Sequence, residues 1–408
     1  MKPFGTVPSA FGVQDGELSI GGKTANELVD ANGGTPLFVY DHRVVDTKIA
    51  HFRAEFRDVH LHSAIKANPY RPLIKHMLPQ VDGLDVASAG ELRLLVEVGA
   101  DPRAISFAGP GKRDEELAYA IEQGATLNCE SEGEVARVLD IAKVAGITPR
   151  LAVRVNPDFE IKGSGMRMGG GAKPFGVDAD RVPALLRKIA DGGAEYRGLH
   201  IYAGSQALDA DALIDAQTAS VDLAAELSSS FAIPPPIVNL GGGFGIPYFP
   251  GDKPLDIVPV ATALHNTIAK HRHGNLANTE FAIELGRWLV GECGVYLTRV
   301  VDRKVSKGVT FIITDGGLHH QLAASGNFGQ VIRRNYPVAI ASRFDAEPVE
   351  EVNIVGCLCT PLDRLADEVM MPRAEVGDIV AVFMAGAYGL SASPQAFLGQ
   401  PKAREILI

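Results

Sequence analysis

Cysteine is scarce here: Cys129, Cys293, Cys357 and Cys359 are the only four among 408 residues. So few thiols in so long a chain do not form a disulfide framework. Cys357 and Cys359 have a single residue between them, closer than the usual zinc pairing, so no metal site is expected. Long hydrophobic runs are also missing. Nowhere do some 18 uncharged apolar residues follow one another, which argues against a helical membrane span. The first residues lack the apolar stretch of a signal peptide, so a cytoplasmic location is the expectation. Positive charge is in deficit, with 39 Lys and Arg against 49 Asp and Glu, a net charge of −10. Nucleic acid is therefore not an expected partner, since its phosphates require basic patches. Small anionic ligands held by a few local donors remain open.

The 46% hydrophobic and 22% charged content is that of an ordinary globular chain. Its length exceeds one compact core and points to a large barrel or two domains. Eight β-rich runs, near residues 60–66, 83–88, 105–108, 126–130, 151–156, 198–203, 237–241 and 281–286, alternate with helical patterns. Those patterns cover residues 90–98, 113–123, 131–144, 180–191 and 209–228, and Ser131 with Glu134 forms a helix-start signal. Most of the runs are continuously apolar, as strands buried on both faces are. The fold class is α/β, a (β/α)8 TIM-type barrel. A doubly wound sheet is the alternative, but no Gly-rich turn follows the first strand. Beyond residue 287 the runs at 295–305, 309–315, 350–355, 379–384 and 406–408 read as an antiparallel β domain. Residues 1–40 are expected to lend it strands, giving segments 1–40, 41–287 and 288–408. No repeat of solenoid period is present.

Barrel chemistry gathers where the strands end. Those ends carry Lys66, Asp85 with Ser88, Asn128 with Glu130, Arg154 with Asn156, His200 with Tyr202, residues 241–245, and Glu284 with Arg287. Lys66 closes an apolar run that stops at Asn68-Pro69, because proline lacks the donor a ladder needs. A desolvated lysine there would have a lowered pKa and act as an amine nucleophile; an exposed strand-end lysine is the plainer alternative. Gly241, Gly242 and Gly243 allow backbone N–H groups to converge on an anion, and Gly204-Ser205-Gln206 stands after the preceding run. A plain loop is the alternative. Glu284 could hold a ring nitrogen protonated or pair with Arg287. A lysine for a Schiff base, a phosphate cradle and a ring-nitrogen carboxylate together describe pyridoxal 5′-phosphate.

With those motifs the chain resembles the alanine-racemase-fold pyridoxal-phosphate decarboxylases of diaminopimelate, ornithine and arginine. The matching stretches are Ala64-Ile65-Lys66-Ala67-Asn68, residues 85–92, Gly204-Ser205-Gln206, the glycine triplet, residues 284–287, Cys359 with Asp363, and Gly386-Ala387-Tyr388. The resemblance implies that Lys66 carries the cofactor and Glu284 pairs with its ring nitrogen. It implies cofactor contacts at Asp85, Tyr202, Ser205, Gly241, Gly242, Gly243, Arg287 and Tyr388. Cys359 would supply a proton after carbon dioxide leaves. The cysteine loop with Asp363 would reach a second copy, making a homodimer with shared sites. A racemase, and a pyridoxal-phosphate-binding regulatory protein without turnover, are the other readings the fold allows.

Three departures bear on substrate. Tyr202 stands where the family has a stacking histidine, and it cannot become an imidazolium. Thr360 follows Cys359 where the family has an acid for the distal amine, and a hydroxyl offers no charge-assisted pair. Residues 315–330 lack an arginine fork for a distal carboxylate and carry His319-His320, expected to be solvated or to face substrate. These features resemble the exosortase-associated and carrier-protein-linked aminoacyl decarboxylases. Expected substrates are therefore an amino acid or a carrier-linked aminoacyl group, with diaminopimelate, ornithine or lysine as the alternative. Arg154, His319, Thr360 and Asp363 are the expected substrate contacts.

Overall fold

In the computed structural model, which describes residues 2–161, 165–167, 169–231, 233–328, 330 and 333–408, the chain forms two compact units. One comprises Lys48–Ile246 and Pro254–Trp288; the other comprises Met1–Thr47, Pro247–Lys253 and Leu289–Ile408. Pro247–Lys253, within the barrel stretch by sequence, thus groups with the β-rich unit. Its Tyr248 packs on Tyr336 with ring centroids 4.8 Å apart.

The first unit is a closed barrel of eight parallel strands. They are β1 (Val59–Ala64), β2 (Gly83–Val86), β3 (Ile105–Phe107), β4 (Thr126–Cys129), β5 (Arg150–Asn156), β6 (Glu195–Ile201), β7 (Ile237–Asn239) and β8 (Glu280–Leu285). Each pairs with the next, and β8 pairs back onto β1, so no edge is left open. The apolar runs are buried between the barrel interior and the helices, as in β5, whose seven residues are all buried.

The helices begin and end where capping chemistry puts them. Ser88 Oγ accepts the Glu91 N–H and starts Ala89–Glu97. Ser131 Oγ accepts the Glu134 N–H at 3.1 Å and starts Glu132–Ala145, which stops at left-handed Gly146. Ser88, grouped by sequence with the strand-end polar residues, is thus a helix cap. Val182–Asp191 buries Val182, Leu185, Leu186 and Ile189, a single helical stripe facing the sheet.

The second unit is a mixed, mostly antiparallel sheet. Its strand order is Val338–Ile340, Ile379–Val382, Gly294–Ser306, Val309–Thr314, Glu350–Val355, Arg364–Met371. Leu37–Tyr40 pairs antiparallel with Gly294–Ser306 and parallel with Arg404–Leu407, so both ends of the sequence join one sheet. Val309–Thr314 and Glu350–Val355 are also parallel. The sequence does not mark Arg364–Met371 as a strand because charged Asp367 and Glu368 interrupt it. Asp367 is buried there between Arg333 and Arg364, and Glu368 takes a positive φ of 51°. Among the described residues, no helix is long and apolar enough to cross a membrane.

Gly198 sets the curvature of β6. It sits at a register shift against β5, with φ of 120°, and an added Cβ would stand 1.8 Å from the Ile237 carbonyl oxygen. Gly198→Ala is therefore expected to lower stability by about 3 kcal/mol, as overpacking and strain combine. Urea unfolding measures this, and an unchanged midpoint would refute it.

Candidate active site

Strand β1 ends at Ala64, and a 3-10 turn, Ile65–Ala67, carries Lys66 at the C-terminal end of the barrel. The sequence marks this run as 60–66; the turn replaces its last two residues. Beyond it, Asn68 Oδ1 accepts the Tyr70 N–H at 3.0 Å, an Asx turn that redirects the chain around Pro69. The Lys66 side chain is 43% exposed, so the protein alone does not desolvate the amine, as in the plainer of the two readings of its sequence position. Its Nζ lies 3.9 Å from Glu284 Oε1 and 5.6 Å from the centre of the Tyr202 ring.

These groups share a cavity of about 200 Å³. Its polar wall is Lys66, Asp85, Arg154, His200, Tyr202 and Glu284; Phe175 and residues 108–110 complete it. Glu284 is buried, with Oε2 3.2 Å from His200 Nε2. Burial alone would raise its pKa. The adjacent His200 and the charges of Lys66 and Arg154 outweigh that and hold the carboxyl well below the usual range, so it is ionised. Arg154 Nη1 contacts Glu130 Oε1 at 3.0 Å, and the Arg154 guanidinium stands 5.0 Å from the Phe175 ring centre. Glu130 also accepts N–H bonds from Gly109 and, at 3.1 Å, Gly176. Sequence reasoning placed Arg154 among substrate contacts but missed Glu130 as the group that anchors it. The buried Lys112–Glu134 pair was missed as well. It sits at 2.6 Å, and Lys112 also donates to the Gly109 carbonyl on the cavity wall.

The glycine triplet follows β7. Gly241 donates its N–H to Asn239 Oδ1 at 2.8 Å, and its carbonyl accepts from Glu284 N–H at 2.8 Å. A Cβ on Gly242 would stand 1.9 Å from the Glu284 carbonyl oxygen; one on Gly243 would stand 2.8 Å from the Gly204 carbonyl oxygen. Only glycines fit between the ends of β6 and β8 at this approach. Among the described residues, the buried N–H groups of Gly242 and Gly243 have no hydrogen-bond partner. Buried donors are rarely left so, and two in succession beside Ser205 make an anion cradle. This cradle, joined to Glu284 through its backbone, together with a cavity that holds the ionised Glu284 and Lys66, fits pyridoxal 5′-phosphate in residue type and chemistry. Arg287 begins the short helix Arg287–Val290 and is half-buried, next along the chain from the end of β8.

Cys359, Thr360, Asp363, His319 and Tyr388 belong to the β-rich unit. Cys359 is exposed, on a loop whose Leu362 is 58% exposed. Asp363, expected to touch substrate, is buried and accepts N–H bonds from Leu318 at 2.6 Å and Leu358 at 2.8 Å. It ties the segment 315–330 to the cysteine loop, and Gly317 and Gly356 make room for its carboxylate. His319 and His320 are both buried, which corrects the expectation of solvated rings. His320 bridges the Tyr296 hydroxyl at 3.0 Å and the Pro401 carbonyl at 2.9 Å. Burial lowers the pKa of both histidines, that of His320 to about 4. Tyr388, half-buried with φ of 52°, has its ring 6.3 Å from Phe328. Gly329, in the same segment, lies outside the described residues.

A family described as "Pyridoxal-dependent decarboxylase, pyridoxal binding domain" matches residues 42–291. The L-glutamyl-[BtrI acyl-carrier protein] decarboxylase of Niallia circulans is 37% identical over 91% of this chain and 88% of its own. Diaminopimelate decarboxylase of Methanothermobacter thermautotrophicus is 31% identical over 96% and 91%. Among solved structures, diaminopimelate decarboxylase from M. jannaschii in co-complex with L-lysine aligns with a TM-score of 0.89. It is 25% identical, over 98% of this chain and 93% of that one. The chain therefore belongs to the pyridoxal-dependent decarboxylases, carboxy-lyases of amino acids and aminoacyl groups whose cofactor is pyridoxal 5′-phosphate.

Proposed function

We propose that this enzyme removes the α-carboxyl group of an aminoacyl group, such as glutamyl, held on a carrier protein, rather than of a free diamino acid. The observation that carries this reading is the absence of charge where a free substrate's distal end would need it. Thr360 follows Cys359, and residues 315–330 contain no lysine or arginine. Both histidines there are buried with lowered pKa values, so they are neutral near pH 7. The segment's acid, Asp315, already accepts bonds from Thr35, Thr298 and the Arg299 N–H. A thioester end carries no charge and needs no such partner. The 37% identical carrier-protein decarboxylase supports the same direction.

In this reading Lys66 binds the cofactor covalently. Glu284, held ionised by His200, would pair with the ring nitrogen and favour its protonated form. The N–H groups of Gly242 and Gly243, with Ser205 and Arg287, would hold the phosphate. The bound cofactor supplies an electron-withdrawing ring that accepts the electron pair released as carbon dioxide departs. Arg154, fixed by Glu130, borders the substrate. Cys359 donates a proton to the α-carbon, closing the balance of one carbon dioxide released and one proton taken up. The enzyme is a homodimer whose cysteine loops serve the opposite copy; the exposed Cys359 and Leu362 support this arrangement.

Carbon dioxide release should be at least about 100-fold more efficient, as kcat/KM, from carrier-linked glutamate than from free diaminopimelate, ornithine or lysine. Thr360→Glu should shift the ratio toward the free diamino acids. Efficient turnover of free diaminopimelate by the native enzyme would contradict the proposal. For the shared site, Lys66→Ala and Cys359→Ala proteins, each inactive, should recover activity on mixing, because one site of each hybrid dimer is intact. No recovery, with exchange of subunits demonstrated, would show that each copy is self-sufficient.

A further inference from the structure

A second polar cavity, about 210 Å³, lies at the N-terminal ends of the barrel strands. Packed branched side chains usually fill this part of such barrels. His62 on β1 and Asp85 on β2 stand one on each of the two cavities. His62 lines the lower cavity and Asp85 the upper one.

The His62 ring has a prepared place. It lies across Gly83, where an added Cβ would stand 2.5 Å from Nε2 and 2.7 Å from Cδ2 and Cε1. Its Nδ1 is 3.3 Å from Asp85 Oδ2, and neither atom has another partner among the described residues. The side chains are 11% and 5% exposed. Asp85 Oδ1 accepts from Ser106 Oγ, which in turn accepts from Asn128 Nδ2 at 3.1 Å. On the other side, Glu284 of β8 is the register partner of His62. Buried carboxylates thus stand on both strands that pair with the strand of this imidazole, and an uncompensated buried charge is costly.

We propose that His62 is a positioning residue. As the buried cation between Asp85 and Glu284, it fixes Asp85 on the wall of the cavity that receives the cofactor. The inference rests on the cofactor reading only for what that cavity receives. Burial alone would push the His62 pKa down, but Asp85, with Glu284 and Asp82, outweighs it and raises the pKa above the ordinary imidazole value. The other charged or titratable groups bordering the lower cavity are His60, Arg103, Arg197 and Glu280.

The sign of the pH dependence follows. A group with a raised folded-state pKa contributes its full stabilisation below the unfolded value, and that contribution is lost as pH rises through the folded value. Urea unfolding of the full-length protein, with and without added pyridoxal 5′-phosphate, should show His62→Gln less stable than the native chain at pH 5.5. The gap should narrow as pH rises past the His62 pKa. A gap independent of pH would reduce His62 to a space-filling ring and overturn the proposal. In turnover, His62→Gln should lower kcat about tenfold with KM nearly unchanged. The double variant with Asp85→Asn should be no slower than the slower single one. Should His62→Gln fail to fold, histidine NMR titration of the native chain decides: an imidazolium at His62 at pH 7 supports the ion pair, a neutral ring overturns it. Neither stability nor NMR readout requires Lys66 to carry the cofactor, so failure here is distinguishable from failure of the proposed function.

Discussion

The position of Glu284 joins closure of the barrel to its chemistry. Its strand is the one that returns to β1, and its backbone N–H bonds the Gly241 carbonyl. Its own carbonyl stands so near Gly242 that no side chain fits there. The carboxylate, buried and ionised, reaches His200 on β6 and Lys66 beyond β1. A buried anion of this kind persists only with partners on several sides. The glycine triplet, the histidine and the lysine are therefore tied to one residue through separate backbone and side-chain contacts. Moving Glu284 would disturb the anion cradle and the amine together.

Around that centre the barrel interior is unusually polar. Glu130 anchors Arg154, Lys112 with Glu134 braces the Gly109 wall, and His62 stands beneath Asp85. Each of these side chains has its partner on another element, so ion pairs as well as ladder hydrogen bonds tie the elements together. Small residues such as Gly83 provide the volume these side chains occupy.

Much of this was legible in the sequence, for physical reasons that can be named. Strands buried on both faces appear as apolar runs, and helix caps such as Ser131 use local chemistry, so β–α alternation is visible without tertiary information. Lys66, the triplet and Glu284 stood out because strand-end position and residue type coincide. Partnerships across the barrel were not legible: nothing local joins Glu130 to Arg154, or His62 to Asp85. The histidines at 319 and 320 misled because a Gly-, Ser- and Asn-rich setting suggests solvent. In the structure, the Tyr296 hydroxyl and the Pro401 carbonyl satisfy His320 from distant segments. The hold on Asp363 was not legible either, since its two backbone donors, Leu318 and Leu358, come from separate loops.

The central claim is that Lys66, set beside Glu284, is the residue that holds the cofactor. Borohydride reduction of the enzyme loaded with pyridoxal 5′-phosphate, followed by peptide mass spectrometry, tests it most directly. The account requires one phosphopyridoxyl group per chain, on Lys66. The label on any other lysine, or its undiminished uptake by Lys66→Ala, would contradict it.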